Sequence, residues 1–376
     1  MTTTVTDNVL RELAGFRTPS GCAISIYLDL DPSTAPTIPE VETRFNAALA
    51  EAEKLAEEHP RARDCRMALR EDLQRIREWW DREFERGGAR GLALFASSTD
   101  DLFRALPLVG RVADLVRVGH TLTVAPLVGE LGLDGDIVAV VSRERGTVYR
   151  LLGGRLVEVV DESEETPGQH HQGGWSQARY QRHIDNLVQQ HLKTVGSEID
   201  KRARRGGAPR IAIVAPEETR SELVAALATE TREAIVGYAT AEAHAGPAEL
   251  LEAVRPMLDE ARARDEEAAL ERWREAHGRG ERSAAGWKQV LDAASDARVS
   301  VLLVDESAQR EAWNCPECGR ASADGGSCPL DGTKLEAVPD AVDLAIHQVL
   351  ANGGSVVRLG TGALGDVSGI AALLRF

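Results

Sequence analysis

Long apolar runs are missing from this 376-residue chain, and none approaches the roughly 20 residues a membrane-spanning helix needs. Its first residues, MTTTVTDNVLRELAGF, lack a basic stretch followed by an apolar core, so no export signal is read there. Cysteine is scarce, and its count of five is odd. An odd count without an export signal speaks against a disulfide framework. Cys22, in a strand-like run, and Cys65, in a helical one, are accordingly expected to be buried, reduced thiols. The expected location is the cytoplasm, with no membrane contact. Net positive charge is missing too: the formal charge is -16. Over the whole chain that disfavours nucleic acid, because phosphate binding rewards Lys and Arg. Only a local basic cluster would reverse it. No internal repeat and no low-complexity segment beyond charged linkers is found.

What is present is a mixed α/β chain, and its length exceeds what one core usually serves. Residues 1–132 read as an α+β N-terminal domain. CAISIYLDL, GLALFAS and LTVAPL are strand-like, and helical spacing covers 38–58 and 61–87. Trp79 and Trp80 are adjacent and so cannot share a helix face; they are expected to pack, without a functional role. Residues 133–280 read as a second domain. DIVAVVS, TVYRLL and RLVEVV, separated by short turns, predict an antiparallel meander. A long helix follows, with Tyr180, Ile184, Val188, Leu192, Val195 and Ile199 on one apolar face. RIAIVAP, a helix near 218–229, AIVGYA and a charged helix near 246–275 complete an α/β layered unit. AHGRGERSAAG (276–286) reads as the next break. Residues 281–376 then predict a small α/β/α domain, with strands at VSVLLVDE and SVVRL, helices at GWKQVLDAAS and 338–351, and an insertion at 313–335.

Two motifs carry chemistry. Gly360-Thr-Gly-Ala-Leu-Gly365 matches GxGxxG, but too little chain follows for the helix, strand and acidic residue of a dinucleotide site, so it reads as a turn. Cys315-Pro-Glu-Cys318-Gly and Cys328-Pro-Leu-Asp331-Gly are two copies of one knuckle pattern, the second ending in aspartate. Three thiolates and a carboxylate suit structural zinc. The alternative is a knuckle that has lost its metal and kept its turn. His170 and His171 form a weaker metal candidate, read as solvated loop residues.

The basic cluster begins behind a glycine loop expected across 168–180. From 178 to 210 the chain holds eight Lys/Arg against three acidic residues. Gly173 and Gly174 precede Trp175, Ser176 and Gln177; Arg179 and Arg182 follow; Lys201, Arg202, Arg204 and Arg205 lie at the far end of the same helix. A solvated helix with a basic end would look similar. The combination of mobile glycines, an aromatic and arginines is instead what RNA contact uses, through phosphate pairing and base stacking.

The stretch GGWSQARYQRHI resembles the GGQ loop and following helix of the archaeal and eukaryotic class-1 peptide release factors, matching at Gly173, Gly174, Ser176, Arg179 and Tyr180. The ending GIAALLRF resembles the close of that family's C-terminal domain, and the CPECG…CPLDG knuckle falls where related factors carry a zinc-ribbon insertion. Among related factors the chain resembles the bacterial relatives that include the Balon-type ribosome hibernation factors. Residues 133–376 are covered by the resemblance and 1–132 are not. It implies three domains, a tRNA-like role at the ribosomal A site and peptidyl-transferase region, and a translational GTPase such as elongation factor Tu as a candidate partner. Position 175 departs from the pattern: the family's catalytic glutamine is tryptophan. Indole has one donor and no acceptor, and cannot copy an amide. The family's stop-codon reader, an NIKS-type loop, is absent from 1–132. The expectation is therefore a factor of idle or stressed ribosomes that does not release peptide. Peptidyl-tRNA hydrolysis through Gln177, and RNA binding away from the ribosome, are the alternatives.

Overall fold

The structure is a computed structural model. It describes residues 5–18, 22–58, 62–130, 135–163, 175–205, 209–242 and 244–376; side chains at 7, 62–65, 162–163 and 175–184 lie outside the description. Packing groups the chain into two compact units: residues 1–131 together with 264–376, and residues 132–263.

The first unit opens with α1 (Asp7–Gly15), capped by the Thr6 hydroxyl on the Val9 N–H. There follow β1 (Ala23–Asp29), α2 (Ile38–Glu58), α3 (Ala62–Glu83), β2 (Gly91–Ser97), β3 (Leu102–Leu108) and β4 (Leu115–Gly119). The four strands pair antiparallel in the order β3-β2-β1-β4. The period-2 rule divides their side chains between two cores. Ile24, Ile26, Leu28, Leu92 and Leu94 face α2 and α3, while Tyr27, Ala93 and Phe95 face the other way. Trp80 stacks between Phe45 and Phe84, at centroid distances of 3.9 and 3.8 Å, and Trp79 meets Phe84 and Phe103. Two expectations are corrected. LTVAPL is no strand: residues 125–130 form a 3-10 turn. Its backbone donors are taken elsewhere, since Val124 and Ala125 N–H both bond the Asp343 carboxylate. Cys22 is buried as expected but disulfide-bonded rather than reduced; the Cys65 side chain lies outside the described residues.

The second unit holds β5 (Ile137–Val141), β6 (Arg145–Leu152), β7 (Arg155–Ser163), α4 (Trp175–Arg205), β8 (Ile211–Val214), α5 (Glu217–Ala226), α6 (Thr229–Glu233), β9 (Ile235–Ala239) and the first half of α7 (Pro247–Gly278). The sheet order is β7-β6-β5-β8-β9. The expected antiparallel meander is β5-β6-β7, and β8 and β9 extend it in parallel. Ile137, Ala139, Ile211 and Ile213 point at α4 and α5; Val138, Ala212 and Val214 point at Leu250, Val254 and Leu258 of α7. Val188, Leu192, Val195 and Ile199 are the buried ladder of α4. Gly146 on β6 lets that helix approach: a Cβ there would stand 2.3 Å from Val195.

The second half of α7 belongs to the first unit, and the helix runs three residues, 276–278, into the expected break. It is followed by β10 (Ser283–Ala285), α8 (Gly286–Ser295), β11 (Val299–Asp305), β12 (Ala312–Asn314), β13 (Ala321–Ser322), β14 (Glu336–Val338), α9 (Ala341–Ala351), β15 (Ser355–Leu359) and β16 (Ile370–Leu374). The sheet β10-β16-β11-β15 is covered on one face by α8 and α9 and on the other by Ala269, Leu270 and Trp273 of α7. That is the expected α/β/α domain. The glycine turn after β15 leads into β16, which lies antiparallel to β11, and the Leu364 N–H bonds the Asp305 carboxylate. This is not a dinucleotide cradle. β12, β13 and β14 form a separate small sheet carrying the cysteine insertion.

The N- and C-terminal segments of this unit share one core, in which Leu10, Leu13 and Phe95 join Val290, Ile346 and Val349. Polar bonds cross the same seam. Arg11 donates to the carbonyls of Leu350 and Gly354, at 3.0 and 2.7 Å. His347 sets Nδ1 2.6 Å from the Ala14 carbonyl and Nε2 2.8 Å from the Leu122 carbonyl. No helix among the described residues is long and apolar enough to cross a membrane.

Candidate functional site

The knuckle is built by two turns of the same geometry. In the first, the Gly319 N–H closes on the Cys315 carbonyl and the Cys315 N–H on the Arg320 carbonyl, both at 2.9 Å. In the second, Gly332 closes on Cys328 at 2.9 Å and Cys328 on Thr333 at 2.7 Å. Gly319 and Gly332 have φ of 75° and 78°, a region glycine enters without strain. The repeated Cys-Pro-x-x-Gly spelling is therefore a repeated backbone, and it presents four ligand atoms to one point. Those of Cys315, Cys318, Cys328 and Asp331 all lie within 4.8 Å of one another. Cys315 Sγ is 3.4 Å from Asp331 Oδ2, and Cys318 Sγ is 3.5 Å from Cys328 Sγ. Tetrahedral zinc with bonds of about 2.3 Å would separate its sulfur ligands by about 3.8 Å, so these four atoms fit a metal ion. The backbone and hydroxyl of Thr333 bond Asp331 and hold its carboxyl well below the usual carboxylate range, in the ligand form. Cys315 and Cys328 are buried, whereas Cys318 and Asp331 are exposed.

The knuckle is anchored on one side. Arg320 pairs with Asp296 at 2.7 Å and Asp292 at 3.4 Å, the Ser295 hydroxyl accepts from the Ala321 N–H, and the Gln348 amide donates to the Gly319 carbonyl at 2.6 Å. These residues sit on α8 and α9, so the first turn rides on the domain core.

In the second unit, α4 carries both halves of the basic cluster. Gly173 and Gly174 lie outside the described residues, as do His170 and His171. The helix begins at Trp175, so residues 175–180, expected as loop, are its first turns. Trp175, Ser176, Gln177, Arg179 and Arg182 have described backbone only. At the other end the four basic residues separate into two pairs. Lys201 and Arg202 both pair with Glu198, at 3.1 and 3.0 Å, and Arg202 also donates to the Val159 carbonyl on β7. Arg204 and Arg205 are exposed and without a partner among the described residues. Cations in a last helical turn also favour the helix dipole. Arg210 is committed elsewhere, pairing with Asp136.

Residues 124–259 match the model of bacterial archaeo-eukaryotic release factor family 10. A 92-residue stretch is 35% identical to peptide chain release factor subunit 1 of Aeropyrum pernix; it covers 23% of this chain and 24% of that protein. The chain thus matches about a quarter of that curated relative's length. Similar solved structures include the archaeal translation termination factor aRF1, at 17% identity over 99% of both chains with a TM-score of 0.27. Another is ribosome-bound archaeal Pelota with ABCE1, at 14% identity over 64% of this chain and 61% of that one, with a TM-score of 0.45. Residues 124–259, about a third of the chain, are thus similar to bacterial archaeo-eukaryotic release factor family 10, and a 92-residue stretch is similar to an archaeal release factor subunit.

Proposed function

We propose that the protein is a ribosome-binding factor that occupies the A site in place of tRNA on idle or stressed ribosomes, without releasing peptide. The observation that carries this reading is position 175. Within the segment that matches the release-factor family, Gly173, Gly174, Ser176, Arg179 and Tyr180 keep the family spelling, and the glutamine between them is tryptophan. The glycine pair is kept in the sequence, and the water-positioning amide is replaced by a side chain that stacks on bases. In this reading residues 1–132, 133–280 and 281–376 serve as three functional domains, and Gly173, Gly174, Trp175, Ser176, Gln177, Arg179 and Arg182 contact ribosomal RNA near the peptidyl-transferase region. Lys201, Arg202, Arg204 and Arg205 contact RNA backbone, the last two most directly. Elongation factor Tu is the candidate carrier. Zinc, held by Cys315, Cys318, Cys328 and Asp331, is structural and stiffens the C-terminal domain.

The test combines sucrose-gradient sedimentation of purified protein with 70S ribosomes and a peptide-release assay on stalled complexes. The expected result is co-sedimentation without release, weakened by Trp175→Ala by about 1–3 kcal/mol, the worth of one stacked aromatic. Release that vanishes in Gln177→Ala identifies a peptidyl-tRNA hydrolase instead. Failure to sediment with ribosomes overturns both readings in favour of RNA binding elsewhere.

A further inference from the structure

We propose that Cys318 and Cys328 are a peroxide-sensitive pair whose oxidation to a disulfide opens the knuckle and expels its metal. The inference rests on the zinc reading given above. Its basis is an asymmetry within the four ligands. All four atoms lie within 4.8 Å of one another, but they differ in exposure: Cys315 and Cys328 are buried, and the exposed Cys318 has its sulfur 3.5 Å from that of Cys328. A disulfide needs a sulfur separation of about 2.05 Å, so the two sulfurs must close by about 1.5 Å.

The knuckle is built to allow that approach from one side only. The first turn, with Cys315 and Cys318, is tied to α8 and α9 through Arg320, Ser295 and Gln348. Outside the ligand contacts, the hydrogen bonds of the second turn close within residues 326–335 among the described residues: Cys328 with Thr333, Gly332 with Cys328, Leu335 with Gly326, and Ser327 with Lys334. The second turn moves and the first holds. Exposure sets the order of chemistry, because Cys318 is open to solvent and Cys328 is covered.

The reaction balances with hydrogen peroxide as the only co-reactant. The Cys318 thiolate attacks one peroxide oxygen. The O–O bond breaks, a sulfenic acid forms on Cys318 and hydroxide leaves. The Cys328 thiolate then attacks the Cys318 sulfur, the S–S bond forms and a second hydroxide leaves. Two thiolates give up two electrons and peroxide takes them. Cys315 and Asp331 remain, two ligands where structural zinc uses four, and the ion departs. Of the three sulfurs, Cys318 is the exposed one and lies 3.5 Å from Cys328, so Cys318–Cys328 is the expected pair.

The full chain, purified without chelator and freed of reductant under argon, is assayed for zinc and then titrated with hydrogen peroxide in the presence of a chromogenic zinc chelator. Stoichiometric zinc should be released with one equivalent of peroxide. The knuckle thiols, the three free cysteines among the described residues, should fall from three to one, and a Cys318–Cys328 linked peptide should appear by mass spectrometry. Dithiothreitol with added zinc should reverse all three. Cys318→Asp repeats at the first turn the substitution that position 331 already shows at the second; it should keep zinc and become insensitive to peroxide. Absence of zinc from the freshly reduced protein overturns the zinc reading and this proposal with it. Zinc that is present but retained under excess peroxide, or released with Cys315 in the disulfide, overturns this proposal alone. If Cys318→Asp fails to fold, the peptide mapped from the wild type decides.

Discussion

His347 lies where its two ring nitrogens face two carbonyl oxygens, of Ala14 and Leu122. Carbonyls only accept, and a neutral imidazole has a single N–H, so both bonds exist together only in the charged ring. Asp343, one helical turn earlier, supplies the counter-charge at 3.4 Å. Burial alone would lower the pKa of this histidine. The charge of Asp343, its bond to the ring and the two carbonyls outweigh burial and push the pKa up to about 9. The unfolded value is about 6.5, so the charged ring's contribution is complete below pH 6.5 and is lost as pH rises through 9; a gap of about 2.5 units is worth about 3 kcal/mol. His347→Gln keeps a donor and gives up the charge. Denaturant unfolding of wild type and variant at pH 6 and pH 9, with hydrogen exchange at the amides of residues 122–125, reads the effect. The stability difference between them should shrink by about 3 kcal/mol over that range. Exchange at Val124 and Ala125, whose N–H groups bond Asp343, should quicken in the wild type as the histidine discharges. A difference that stays constant from pH 6 to pH 9 would refute the charged-latch reasoning.

Two further outcomes follow from single side chains. Asp72 on α3 is fully buried, and burial outweighs the Ser98 N–H and hydroxyl beside it and raises its pKa to about 6. The folded state favours the protonated form, so wild-type stability should fall by about 3 kcal/mol as pH rises from the unfolded value of about 3.9 to above 6, a fall that Asp72→Asn should abolish in urea titrations. Arg204→Gln with Arg205→Gln should lower ribosome affinity and reduce its salt slope by about 2, while the same change at Lys201 and Arg202, which are paired to Glu198, should move the slope less; equal slopes for the two double variants would remove the distinction.

Much of the fold was legible because its signals are local. Ile24, Ile26 and Leu28 alternate with residues of the opposite face, and Val188, Leu192, Val195 and Ile199 repeat at helical spacing. β3 escaped because Pro107 breaks the strand signal; the structure places β3 at a sheet edge, where a missing N–H is tolerated. Residues 276–286 read as a linker because glycine and charge dominate them, yet three of these residues form β10, held by pairing with β16 from the far end of the chain. The knuckle was legible as spelling, since each Cys-Pro-x-x-Gly copy encodes its own turn. Its anchorage was not, since Arg320 and Gln348 meet their partners only after α8 and α9 have packed. The i,i+4 pairing of Asp343 with His347 is local, but the two carbonyls that make it a latch are 333 and 225 residues away from the histidine, and no local rule relates them.

The segment 173–180 poses the opposite case, where the spelling speaks more directly than the fold. α4 begins at Trp175 with no acidic residue in its first turn, and the positive end of its dipole favours an anion there. Arg179 and Arg182 add charge on the following turns. An RNA backbone can use all of this whatever side chain stands at 175. Hydrolysis cannot, because it needs one amide held at the reacting ester, and a displacement of about 1 Å costs on the order of a hundredfold in rate. Trp175→Gln therefore separates the two demands. The variant restores the Gly-Gly-Gln triplet and should still bind ribosomes, somewhat more weakly for want of the stacked indole. It should not release peptide efficiently from stalled complexes, because restoring the triplet does not by itself hold the new amide at the reacting ester. Release by Trp175→Gln at the rate of a genuine termination factor would mean that the loop is catalytically intact apart from one residue, and the anchoring reading would fall.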